Sequence, residues 1–134
     1  TMKILVIGAG MSGMTFSLLA KRMGHSVTLA ERNERVGKKL ALTGNGKCNV
    51  GNAFVNTDCY NASPVAEKVL SAVSVEQYRD FLQSVGVFTY QDELGRMYPL
   101  SDSANNVVDC FRLALEREGV NLALGQKVTN FKRT

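Results

Sequence analysis

The sequence predicts an α/β fold built around a parallel sheet, and three observations predict it. The apolar, β-branched run KILVI at residues 3–7 runs straight into glycines and then into a helical apolar periodicity over 11–23. A second short run, SVTLA at 26–30, follows Gly24, so strand, helix and strand fit within about 30 residues, the size of a parallel crossover unit. A later helical pattern after residue 103 leads into a further apolar run, VNLAL at 120–124.

Taken in order, residues 3–7 read as a buried strand because they are continuous and apolar. Gly8 to Gly13 form a turn, and the helix after it places Met14, Leu18 and Met23 near one face, with Gly24 as its stop. Residues 26–30 form the second strand. Residues 32–62 are polar, rich in glycine and asparagine and without clear periodicity, so they read as a long loop; loops of that length are usually functional. Ser63 and Pro64 then suit the N-cap and first position of a helix to Ala72. Ser74 and Gln77 form a capping box for the next helix, whose apolar face is Tyr78, Phe81, Leu82 and Val85 and whose end is Gly86. Short strands at 87–91 and 96–99 flank a turn at Glu93–Gly95. A helix starting after Asp102 or Ser103 carries Val108, Phe111 and Leu115 and stops at Gly119. The run at 120–124 is another strand, and Gly125–Gln126 turns into a last strand at 127–133.

Composition narrows the function classes. A chain of 134 residues with 45% hydrophobic and 21% charged residues suits one globular domain or part of a larger one. No apolar run reaches membrane-spanning length, and the glycine-rich start does not suit a signal peptide. Thr1 reads as a remnant before a start at Met2. The net charge of +4 does not imply nucleic acid; the basic excess gathers in residues 31–47, where Arg32, Arg35, Lys38, Lys39 and Lys47 face Glu31 and Glu34, and this suits a phosphorylated small ligand. Cys48, Cys59 and Cys110 are odd in number and form no CxxC pair, so a disulfide framework is not expected, and a reducing, cytoplasmic setting is. With His25 alone they make no recognisable metal spacing.

The glycines Gly8, Gly10 and Gly13 spell G-x-G-x-x-G between a strand and a helix, with Glu31 about twenty residues on. The first glycine permits the tight turn, the second lets a pyrophosphate approach the backbone, and the third lets helix and strand pack closely. The helix N-terminus would hold the diphosphate and Glu31 would accept from ribose hydroxyls, which disfavours a 2′-phosphate and hence NADP. The domain is therefore expected to be Rossmann-like. This fingerprint does not separate FAD from NAD.

The stretch TGNGKCN at 43–49 narrows the choice. A P-loop would need glycine at Ala41 and Ser or Thr at Cys48, so that reading fails. A disulfide reductase would need a second cysteine close to Cys48, and the nearest is Cys59. Glycines at 44 and 46 would let backbone approach a flat ring, and Lys47 could offset negative charge on a reduced flavin.

The stretches VIGAGMSGM, GHSVTLAERNERVGKKLALTGNGKCNVGN and GRMYPLSDSA together resemble a family of bacterial NAD(P)/FAD-dependent oxidoreductases, the aminoacetone-oxidase-like flavoproteins. The resemblance runs along nearly the whole chain and is most specific in the 38–49 loop. It implies a glutathione-reductase-type FAD-binding domain. Gly8, Gly10, Ser12 and Gly13 would hold the FAD diphosphate, and Glu31 the adenosine ribose with Arg32 beside the adenine. Lys38, Lys39 and Leu40 would lie along the cofactor. Thr43, Gly44, Asn45, Gly46, Cys48 and Asn49 would line the flavin end, and Val128 would meet the adenine through its backbone. Lys47 stands where arginine is common, and Ser17 where alanine is; lysine lacks arginine's bidentate fork. The family's chains are much longer, so residues 1–134 are expected to be the N-terminal part of an FAD/NAD(P)-binding domain, incomplete at its C-terminus, with the substrate domain beyond it. Partners would be a small-molecule substrate and NAD(P)H, with neither nucleic acid nor membrane.

Several residues keep two readings. Cys48 is a redox or nucleophilic residue or a small residue packed under the loop, and the packed reading is favoured. Tyr98 faces the ligand or is a strand aromatic. Arg96 pairs with a substrate carboxylate or with Asp92 or Glu93. No acid or base for catalysis emerges from the sequence. Two rivals stay open: an NAD-binding dehydrogenase, which leaves TGNGKCN unexplained, and a nucleotide-binding module without catalysis.

Overall fold

The computed structural model describes residues 1–61 and 63–133, with Ser63 described by its backbone alone. Helix α1 (Met11–Arg22) connects strands β1 (Lys3–Ile7) and β2 (Ser26–Ala30), which pair in parallel with Ile4 opposite Val27 and Val6 opposite Leu29. Strand β6 (Asn121–Ala123) pairs in parallel with the other edge of β2, giving the order β1-β2-β6. The crossover predicted from the sequence is therefore present, and its sheet is parallel.

Alternation along the strands decides which face is covered. Ile4, Val6, Val27 and Leu29 point to the side where α1 and helix α4 (Ala104–Arg117) pack, and Leu29 is fully buried there with Met14, Leu18, Phe111 and Leu115. Leu5 and Ile7 point the other way and are 58% and 60% exposed. The expectation of a buried strand at 3–7 holds for one face alone: an unbroken apolar run does not reveal which face has a neighbour. Met23 is also corrected. The helix ends at Arg22, and Met23, beyond the last turn, is exposed rather than on the apolar face.

Helices α2 (Ser63–Ala72) and α3 (Val75–Ser84) follow the long loop. The predicted capping box at the start of α3 is formed: Gln77 N donates to Ser74 Oγ at 3.1 Å, and Ser74 N to Gln77 Oε1 at 2.8 Å. The expected cap at Ser63 lies outside the described residues. Strands β3 (Gly51–Asn52), β4 (Thr89–Gln91) and β5 (Arg96–Pro99) make a small antiparallel sheet in the order β3-β5-β4. Ser103 caps α4 by accepting from Asn106 N. Val107 joins the core ahead of Val108, which is half-buried.

The region read as a structureless loop holds short helical turns within Leu40–Gly46, broken by non-helical backbone at Thr43, Gly44 and Asn45, a 3-10 turn at Thr57–Cys59, and β3. The 40–46 segment packs on α4, Thr57–Cys59 on α2 and β3 on β5, contacts that a local pattern does not record. The last strand expected at 127–133 is absent. No neighbouring strand pairs with it among the described residues, and alternation alone does not make a strand without a ladder partner.

Candidate cofactor site

The first glycine turn is built by three different constraints. Gly8 has φ +96, which favours glycine, and its amide donates to Ala30 O at 2.8 Å, joining the turn to the end of β2. At Gly13, a Cβ would stand 1.9 Å from Gly8 O, so no side chain fits between helix and strand. Gly10 is different. Its φ of −80 and ψ of −177 suit any residue, and nothing lies within 4 Å of where its Cβ would be. The protein's own packing does not require a glycine there. Open space at Gly10 is a cradle a side chain would fill.

Helix α1 begins directly above that space. Gly10 offers no side-chain cap, and the first turn, Met11–Ser12–Gly13, carries no acidic residue. The helix start therefore keeps its partial positive charge and outward amides, the arrangement that binds an anion. Ser17 closes the same turn from below: it is fully buried, and its hydroxyl donates to Gly13 O at 2.7 Å, which satisfies the polar group that replaces alanine.

Glu31 sits at the end of β2 beside this turn. Its Oε2 accepts from Ala9 N at 2.8 Å, and its Oε1 accepts from Asn33 N at 2.9 Å and Asn33 Nδ2 at 2.7 Å. Partial burial pushes its pKa up, but the Asn33 and Ala9 amides, the Asn33 side chain and nearby Arg32 outweigh that and hold the carboxyl below its ordinary value. Glu31 and Arg32 line a cavity of about 240 Å³ with Gly8, Gln126, Lys127 and Val128. The fold thus brings Gly8, Glu31, Arg32 and Val128 together as the sequence suggested, although Val128 lies in irregular backbone. Ala9, Asn33 and Gln126 were missed. Asn33, two residues after Glu31 and able to turn its side chain back, was the one signal available.

The second loop follows at once. Gly37 N donates to Ala9 O at 2.8 Å, which fastens its start to the first turn. Lys38 and Lys39 are exposed, and Leu40 is half-buried. Thr43 donates its hydroxyl to Leu40 O at 2.7 Å, and its carbonyl accepts from Cys48 N at 3.1 Å. Between them the backbone turns left-handed at Gly44 (φ 55), Asn45 (φ 52), Gly46 (φ 83) and Cys48 (φ 62). Non-glycine residues in that region carry strain that persists only where the surroundings hold it. A Cβ at Gly44 would stand 2.7 Å from Asn49 N, so glycine is required there twice over. Gly44, Asn45, Gly46, Lys47 and Asn49 face outward.

Cys48 points the other way. It is fully buried in the core cluster, and burial pushes its thiol above the ordinary value, with a Thr43 hydrogen bond only partly offsetting it. The side chain is packed under the loop as a neutral thiol and is not poised as a nucleophile. Beside Asn49 opens an apolar cavity of about 620 Å³, lined by Val50, Val55, Val69, Leu70 and Tyr78 among others. The Tyr78 hydroxyl donates to Val50 O at 2.6 Å, and burial, with Cys48 next, pushes its pKa up to about 12.

Other sequence candidates resolve simply. Arg96 Nε pairs with Asp92 Oδ2 at 2.6 Å on the surface. Tyr98 lies near Tyr90 on the antiparallel sheet, with ring centroids 5.9 Å apart. Cys59 is exposed and Cys110 half-buried, both free. No described helix is long and apolar enough to cross a membrane.

Comparison with known proteins places this arrangement. The chain is 33% identical to a 3-dehydro-bile acid delta(4,6)-reductase of Clostridium scindens over 97% of its own length and 32% of the relative's. It is 29% identical to a ribosomal RNA dihydrouridine synthase of Escherichia coli over 92% of its length and 31% of that protein. The chain thus spans about a third of the length of these relatives. Among solved structures, Thermovibrio ammonificans THI4 matches with a TM-score of 0.60 at 16% identity, covering 91% of this chain and 37% of that one. The open conformation of a flavocytochrome c3 fumarate reductase matches at 0.56 and 20% identity, over 92% and 26%. Those two likenesses establish the parallel-sheet Rossmann-like fold. The family model for the HI0933-like protein Rossmann domain matches residues 2–134, and the chain belongs to that family.

Proposed function

We propose that this chain is the FAD-binding portion of a flavoprotein oxidoreductase. The observation that carries the reading is the open cradle at Gly10 beneath an uncapped helix start, flanked by the carboxylate of Glu31. In this reading the diphosphate rests on the amides at the start of α1, near Gly8, Gly10, Ser12 and Gly13. Glu31 accepts from the adenosine ribose, Arg32 and Val128 flank the adenine, and Lys38, Lys39 and Leu40 border the middle of the cofactor. The outward face of residues 43–49 meets the flavin end through Thr43, Gly44, Asn45, Gly46 and Asn49, and Cys48 serves from below by packing that holds the loop.

When bound, the flavin supplies hydride transfer; the chain supplies binding, orientation and charge. Lys47, exposed on the loop, offsets negative charge at that end. The apolar cavity beside Asn49 gives a small molecule a place next to the loop. The relatives' names cover a bile acid reductase and a ribosomal RNA dihydrouridine synthase, so the substrate differs within the family. NAD(P)H as electron source and a cytoplasmic setting belong to the same proposal.

The test is to express the intact protein that carries this domain, extract its cofactor and identify it by mass. FAD is expected; NAD without flavin would overturn the reading in favour of a nicotinamide dehydrogenase. Flavin reduction by NADH or NADPH, followed by turnover of an added acceptor, separates an enzyme from a binding module without catalysis.

A further inference from the structure

We infer that Asn33 restricts Glu31 to a single free acceptor position, so that the site reads one ribose hydroxyl of its nucleotide and not two. The inference rests on the FAD-binding reading above. A carboxylate has about four acceptor positions, two on each oxygen. Glu31 Oε1 uses both of its own on Asn33, through the backbone N at 2.9 Å and Nδ2 at 2.7 Å. Oε2 uses one on Ala9 N at 2.8 Å. One position on Oε2 is left. Two hydroxyls on adjacent ribose carbons cannot both be accepted there.

Asn33 is well anchored for this positioning role. Its carbonyl accepts from Gly125 N at 2.9 Å, while the Glu31 carbonyl accepts from Gln126 N at 2.9 Å. The 125–128 turn, which contributes Gln126, Lys127 and Val128 to the same cavity wall, is therefore tied to the residues that aim the carboxylate. The side-chain amide of Asn33 acts through Glu31 and needs no contact with the nucleotide.

The test uses the intact protein and three ligands: FAD and its analogues lacking either the 2′ or the 3′ hydroxyl of the adenosine ribose. Binding is followed by flavin fluorescence quenching. In the wild type, one analogue is expected to bind within about twofold of FAD and the other about tenfold more weakly, the loss of one hydrogen bond to a charged acceptor. In Asn33→Ala the backbone N bond stays but the Nδ2 bond is lost, so one position on Oε1 opens, and both analogues are expected to bind more weakly than FAD. Equal losses for both analogues in the wild type would overturn the inference, as would an unchanged pattern in Asn33→Ala. A general loosening of the turn would weaken all three ligands alike and leave their ratios unmoved, which also counts against it. If Asn33→Ala does not fold, Asn33→Leu, which keeps the side chain's shape without its donor, gives the same readout. Failure of the wild type to bind FAD at all would instead sink the cofactor reading.

Discussion

The two glycine-rich turns of this domain share crowding and left-handed backbone but differ at one point each. In the turn at 8–13, Gly13 is required by crowding and Gly10 is not required by the protein's own packing at all. In the turn at 44–48, left-handed backbone runs through four residues, and two with side chains, Asn45 and Cys48, share it. A turn that reserves space differs from one that stores strain. The first leaves amides and volume open; the second holds a backbone shape outward on a buried cysteine. Both kinds of site occur where a ligand must come close to the main chain.

Substitutions break this contrast in graded steps. The largest effect is expected at Gly13→Ala in the intact protein, where a Cβ 1.9 Å from Gly8 O forces helix from strand and costs about 3 kcal/mol or more in urea unfolding. Gly44→Ala comes next, at about 1–3 kcal/mol, because the positive φ and the approach to Asn49 N both resist a side chain. Gly10→Ala should leave folding within about 0.5 kcal/mol of wild type while weakening FAD binding about tenfold, measured by fluorescence titration. If Gly10→Ala instead unfolds the domain, the two turns are not distinct in kind. Tyr78→Phe removes the donor to Val50 O just beyond the second turn and is expected to cost about 1 kcal/mol in the same urea assay.

The smallest effect concerns pH. The Glu31 carboxyl is held below its ordinary value when folded, so its stabilising contribution is present above the unfolded pKa and is lost as pH falls through the depressed folded one. Below about pH 4.3, the ordinary glutamate value, the wild type should lose stability more steeply than Glu31→Gln. Parallel slopes in thermal melts across that range would show that the Ala9 and Asn33 bonds do not distinguish the two ionisation states.

Legibility in the sequence followed the reach of each constraint. The β1–α1–β2 unit was readable because its causes are local: a strand run, glycine spacing and a helix stop within about 30 residues. The capping box at Ser74 and Gln77 was readable for the same reason. Failures gathered where a neighbour decides. Leu5 and Ile7 are exposed because of what does not cover their face, and 127–133 is irregular because no strand pairs with it. Of the candidate site, the positions of Gly8, Gly13 and Glu31 followed from the motif. The role of Asn33 did not, since it depends on a side chain folding back onto a residue whose orientation the sequence leaves free.

Ala9 deserves the final consequence. Its amide holds Glu31 and its carbonyl holds Gly37, each at 2.8 Å, and the residue itself is 1% exposed. One buried residue thus stands between the Glu31 carboxylate and the loop that begins two residues before Lys39. On the FAD-binding reading, the two halves of an extended dinucleotide are therefore expected to bind with coupled affinities. Adenosine monophosphate bound at one end would tighten the grip on flavin mononucleotide at the other, and by linkage the reverse would hold to the same factor.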